Sequence, residues 1–134
     1  MADQGVKRRA QRPTAAELEI LHVLWRRGPS TVREVMDALN EQKELGYTGV
    51  LKLMQNMTAK GIVRRNEAQR AHVYVASRPA EQTKRQLARD LLQRVFEGST
   101  SQLMAHALDG RRPSRKEILE IRNILKPYED ESDD

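Results

Sequence analysis

The clearest chemistry in this chain lies between Tyr47 and Gly61, which reads YTGVLKLMQNMTAKG. Val50, Leu53, Met54 and Met57 stand at i, i+3, i+4 and i+7, a spacing that turns one side of a helix into an apolar stripe. The other side holds Thr48, Gly49, Lys52, Gln55 and Asn56, all small or hydrogen-bonding, and no Asp or Glu occurs from Gly46 to Asn66. Such a surface suits base edges, which present donors and acceptors in the major groove, and phosphates, which repel carboxylates. Gly61 then stops the helix. An amphipathic helix that merely lacks acids has the same pattern, so the neighbouring elements must decide.

Two helices precede this stretch. In Pro13-Thr14-Ala15-Ala16-Glu17, Thr14 can cap and Glu17 can reach back to it; Leu18, Leu21 and Trp25, with Ile20 and Leu24, then form a stripe that ends at Gly28-Pro29. Trp25 is expected to be a core side chain under the next helix, and His22 a surface or boundary residue. Thr31 and Glu34 repeat the cap before Val32, Val35, Met36 and Leu39, with a short extended segment at Ser30-Thr31. After Gly61 the pattern changes. Ile62 to Asn66 and Ala71 to Val75 are β-branched and partly alternating, which predicts a two-stranded hairpin. Arg64, Arg65 and Arg70 put positive charge at its base and tip, where a wing can straddle phosphates or enter a minor groove. His72 and Tyr74 are expected on one face, as a packing pair, with Val73 and Val75 on the other. Helix, helix, helix, hairpin over residues 13–78 is a winged helix.

Residues 79–127 predict three more helices. Leu87, Leu91 and Val95, flanked by Ala88, Leu92 and Phe96, lead to Gly98; Leu103, Met104, Ala107 and Leu108 follow a cap at Ser99; Ile118, Ile121 and Leu125, with Leu119 and Ile124, end before Pro127. Short helices cannot bury two-sided stripes among themselves. Leu87, Leu91, Val95, Leu103, Ile118, Ile121 and Leu125 are therefore expected to meet a second copy, a monomeric extension folded over the winged helix being the alternative. Residues 1–12, with Lys7, Arg8, Arg9 and Arg12, read as a flexible basic arm, and residues 128–134 as a disordered acidic tail. The expected fold class is mainly α: a winged helix-turn-helix followed by a small all-α dimerisation region.

Charge and composition narrow the function. The 134 residues carry a net charge of +5, but residues 1–78 have 14 Lys and Arg against 8 Asp and Glu, net +6, whereas residues 79–134 are net −1. An anionic partner belongs with the first part. The chain has no cysteine, which excludes disulfides, thiolate metal sites and cysteine nucleophiles. No window approaches the ~20 apolar residues of a membrane span, so no membrane partner and a cytoplasmic location are expected. Three scattered histidines and no glycine-rich phosphate loop leave nothing to assign as a catalytic centre; no enzyme, metal or cofactor is expected.

In order along the chain, Thr14 to Leu21 with Leu24-Trp25 and Gly28, Thr31 to Val35, Tyr47 to Leu51 through Lys60-Gly61, Arg70 to Tyr74, and Glu117 to Leu125 resemble the penicillinase repressor family, the BlaI/MecI/CopY type of bacterial transcriptional repressors. The resemblance spans roughly Pro13 to Lys126. It implies a homodimer whose winged helices read an inverted-repeat, double-stranded DNA operator. It also implies release by a sensor-triggered protease in the β-lactam-responsive members. Alignment on the last helix puts their scissile Asn-Phe at His106-Ala107, a departure that leaves a different protease or co-regulator open. The cysteine-rich copper site of other members is absent. The rival reading is a winged-helix module that binds protein and not specific DNA, because a fold does not determine a function.

Overall fold

The computed structural model describes residues 12–41, 44–68 and 70–131. The expected arm up to residue 11, with Lys7, Arg8 and Arg9, lies outside the described residues, as does the end of the expected tail from residue 132.

Local capping sets the helices. For α1 (Ala15–Arg27), the Thr14 hydroxyl accepts from the Glu17 N–H at 3.2 Å while the Thr14 N–H donates to Glu17 Oε1 at 2.9 Å. Thr31 and Glu34 do the same for α2 (Val32–Leu39), with matching distances of 3.2 and 2.9 Å. Two backbone donors that the helix leaves unpaired are satisfied each time. Helix α3 (Tyr47–Lys60) ends at Gly61, whose φ of 81° lets its N–H turn back to the Met57 and Thr58 carbonyls. A side chain would be strained there.

The hairpin follows at once. Strands β1 (Val63–Asn66) and β2 (Val73–Ala76) pair antiparallel with Val63 opposite Ala76 and Arg65 opposite Tyr74. On its other side β2 meets the turn between α1 and α2: Tyr74 and Ser30 exchange backbone hydrogen bonds of 2.8 and 3.0 Å. A hairpin too small to be stable alone is thereby tied to the helices. Tyr74 is buried while His72 lies outside β2 and is exposed, so the two do not form the expected pair. Tyr74 belongs to the core, and both of its backbone groups are bonded to Ser30.

That core gathers Ile20, Leu21, Val23 and Leu24 from α1, Val32 and Val35 from α2, Val50, Met54 and Met57 from α3, and Val63 and Tyr74 from the wing. Trp25 is half-buried at its edge, and its indole N–H donates to the Arg78 carbonyl at 3.2 Å. The arrangement is a winged helix, mainly helical, with further helices after it.

The chain divides into two compact units, the first ending at Gln86 and the second starting at Leu87, inside α4 (Ala80–Phe96) and not at Pro79. The second unit continues with α5 (Thr100–Leu108) and α6 (Arg115–Glu131), each started by a serine hydroxyl, Ser99 or Ser114, that accepts a backbone N–H. Helix α6 runs through Pro127 and does not stop before it, so Tyr128 to Glu131 are helical where an unstructured tail was expected. Proline removes the donor that would meet the Asn123 carbonyl and crowds it, and because Asn123 is exposed that carbonyl can tilt out to water. From Leu87 to Asp130 no residue is buried. Among the described residues, no helix is long and apolar enough to cross a membrane.

The α2 cap has a measurable signature. The Glu34 carboxyl is held below its ordinary value, first by the Thr31 N–H, then by the Thr31 hydroxyl, with the Arg27 charge adding to both. A carboxyl depressed on folding contributes stability above its unfolded pKa, and that contribution is lost as pH falls through the folded value. Glu34→Gln retains a capping amide without the titration. Its urea midpoint should therefore fall less than the wild type's between roughly pH 5 and pH 3; parallel curves would uncouple this carboxyl from folding.

Candidate nucleic-acid interface

Helix α3 divides cleanly between core and solvent. Val50, Met54 and Met57 are buried, while Thr48, Gly49, Lys52, Gln55 and Asn56 are all exposed. At 3.6 residues per turn those five fall within about a third of the helix circumference. They form one ridge. The first turn contains no acidic residue, and Gly46 at the N-cap provides no side-chain cap, so early backbone N–H groups remain available at the positive end of the helix dipole. Among the described residues, a Cβ added at Gly49 would meet nothing within 4 Å. The missing side chain is therefore not demanded by packing inside the protein.

The wing separates residues that look equivalent in sequence. Directly opposed residues of an antiparallel pair share a face, so Arg65 sits on the same side as Tyr74, whereas Arg64, opposite Val75, sits on the other. The Arg65 guanidinium is raised above its ordinary value by hydrogen bonds to Tyr74 and then to Glu67, with which it also forms an ion pair. Glu67 thus offsets part of the wing's charge. Arg64 and Arg70 are exposed, and among the described residues neither they nor Lys52 has a carboxylate partner. The structure brings Thr48, Gly49, Lys52, Gln55 and Asn56 together on α3 and sets Arg64 and Arg70 on the hairpin that follows it. Arg65 is engaged elsewhere.

Sequence reasoning missed one ion pair near this surface. Lys60, in the last turn of α3, reaches Glu17 Oε1 at 2.6 Å, across 43 residues of chain. Opposite charges far apart in sequence carry no local signal. A hint lay in the apolar stripe of α1, whose buried residues include Glu17 at the helix start.

The expected dimerisation residues fall into two groups. Leu91, Val95, Ile118 and Leu125 are exposed, and Leu87, Leu103 and Ile121 are half-buried. His106 and Ala107 lie exposed in the last turn of α5, with the His106 ring 5.6 Å from that of Phe96.

Comparison with known proteins adds an independent line. A family model described as penicillinase repressor matches residues 13–127. The chain is 21% identical over 110 residues to a penicillinase repressor of Staphylococcus aureus, covering 82% of this chain and 87% of that protein. It is 37% identical over 59 residues to a transcriptional regulator BlaI of Mycobacterium tuberculosis, which amounts to 43% of each chain. It is also 20% identical over 112 residues to an uncharacterised 16.5 kDa protein of Latilactobacillus sakei, covering 84% of this chain and 77% of that one.

The open surroundings of Gly49 make a test of what the ridge is for. Gly49→Ala removes backbone freedom from the unfolded chain without a clash, so stability should rise by about 0.5–1 kcal/mol in urea titration. If close approach of a partner needs the bare backbone, the same variant should bind duplex DNA more weakly. A variant that is both more stable and equally tight would assign Gly49 no part in recognition.

Proposed function

The chain belongs to the penicillinase repressor family, a family of transcriptional regulators, and from that premise we propose that it represses transcription as a homodimer on an inverted-repeat operator. The observation that carries the proposal is the acid-free ridge of Thr48, Gly49, Lys52, Gln55 and Asn56 on a helix whose opposite face is core. In this reading α3 enters the major groove with its first turn nearest the bases. Lys52 reaches a guanine edge or the backbone, Thr48 a thymine methyl or a phosphate, and Gln55 and Asn56 lie further along the groove. Arg64 and Arg70 hold phosphates, fixing position without choosing sequence. Arg65 is reassigned from phosphate contact to support of the wing, because Tyr74 and Glu67 already occupy it.

The second unit supports the dimer. Leu91 is 47% exposed, Val95 61%, Ile118 38% and Leu125 47%, too much apolar surface to leave in water for three helices with no buried residue among those described up to Asp130. A second copy covers it, in a two-fold pair that presents two α3 ridges to successive turns of one duplex. Loosening this pair would release the operator. Cleavage at His106-Ala107 is one route, and it requires the last turn of α5 to open, because the Asp109 N–H closes that turn onto the Ala105 and His106 carbonyls.

Selection from a random duplex pool should recover palindromes with half-sites one helical turn apart, ~34 Å. On such a duplex, Lys52→Ala should cost about 1–3 kcal/mol, mostly on the recovered sequence. Arg70→Ala should weaken all duplexes alike and reduce the salt slope by about one unit. Gel shifts at several salt concentrations separate the two, and wild-type binding by both variants would reject the assigned surface. For the pair itself, Leu91→Asp places an unpaired charge in the proposed contact. Sedimentation should then report a mass near the chain's 15.4 kDa, where the wild type reports twice that; an unchanged mass would remove the dimer contact from α4.

A further inference from the structure

Among the described residues, Glu17 is the one charged residue that is buried, with a side chain 3% exposed against 25% for Lys60. Its Oε1 accepts twice, from the Thr14 N–H at 2.9 Å and from Lys60 Nζ at 2.6 Å. One oxygen therefore joins the start of α1 to the end of α3. Stability alone does not account for this arrangement. Taking two charges out of water costs several kcal/mol per ion, and apolar replacements of similar volume are often as stable or more so.

The rest of the α3 contact explains why a directional tie is needed. The buried face of α3 is Val50, Met54 and Met57, and both methionines are completely buried. Methionine is unbranched and fits many cavity shapes, so two of the three buried side chains of α3, with Leu51 and Leu53 packed at the margin, constrain its rotation and height only loosely. The N-terminal end adds no constraint from a side-chain cap. A recognition surface nevertheless has to stay within about 0.5 Å and 10–20° of its working geometry. The Lys60 ammonium, hydrogen-bonded to a carboxylate that is itself fixed by a backbone N–H, supplies the missing direction.

We infer that Glu17 and Lys60 are positioning residues for sequence readout: their ion pair sets the rotation and height of α3, and with it the ability to tell one duplex from another. The inference rests on the DNA-reading role proposed above. It separates two properties that a core contact would couple, discrimination between sequences and stability of the fold.

The test is the double variant E17Q/K60M. E17Q keeps a capping group three residues after Thr14, and K60M keeps an apolar stem of similar length. Dissociation constants are measured for a duplex recovered by random-pool selection and for a scrambled duplex of the same composition. Any loss of folded protein scales both constants equally, so their ratio does not respond to stability. The ratio should fall by roughly tenfold in the double variant, the size of one lost base contact, while K60R, which preserves the pair, keeps the wild-type ratio. A double variant with undiminished discrimination would overturn the positioning role, as would K60R losing as much as the double variant. A wild type that prefers no recovered duplex would instead reject the DNA-reading role, a result distinct from either.

Discussion

The burial of Val50, Met54 and Met57 is the constraint on which the first unit depends. A helix has one circumference to share between protein and solvent, and these three side chains assign it. Once they are inside, Thr48, Lys52, Gln55 and Asn56 must point outward, since a 3.6-residue turn leaves them no other place. The wing is fastened by the same logic. Tyr74 goes into the core beside them; its backbone bonds to Ser30 on one side of β2, while β2 pairs with β1 on the other. A basic hairpin is thereby fixed to the helix body that carries the ridge.

The second unit obeys the opposite condition. Serine hydroxyls cap α5 and α6, and Phe96 and His106 lie against each other, yet none of its residues described up to Asp130 is buried. Capping and helix propensity shape such segments, but most helical stability comes from an apolar face packed against something. The two units thus differ: one makes a core from its own residues, and the other leaves Leu91, Val95, Ile118 and Leu125 exposed.

Much of this was legible in the amino-acid order because the signals are local. Thr14 with Glu17 and Thr31 with Glu34 announce helix starts within four residues, and Gly61 announces a stop. The ridge on α3 follows from periodicity alone. What was not legible depends on residues that meet only after folding. Arg65 looks like Arg64 until strand register puts it opposite Tyr74 and beside Glu67. Lys60 looks like another surface base until α1 comes within reach of it. Pro127 looks like a helix end, and α6 passes through it because an exposed carbonyl can turn to water. His72 was grouped with Tyr74 by alternation, which failed because the strand begins at Val73, two residues later than expected.

The empty space around Gly49 bears on how such a protein can diverge. Among the described residues nothing lies within 4 Å of a Cβ placed there, and the ridge residues beside it are exposed. If α3 reads DNA as proposed, duplicated copies could exchange its outward letters and move to new promoters while inheriting the same folded body. Stability and addressing would then drift on separate clocks, which lets one scaffold seed many regulatory circuits.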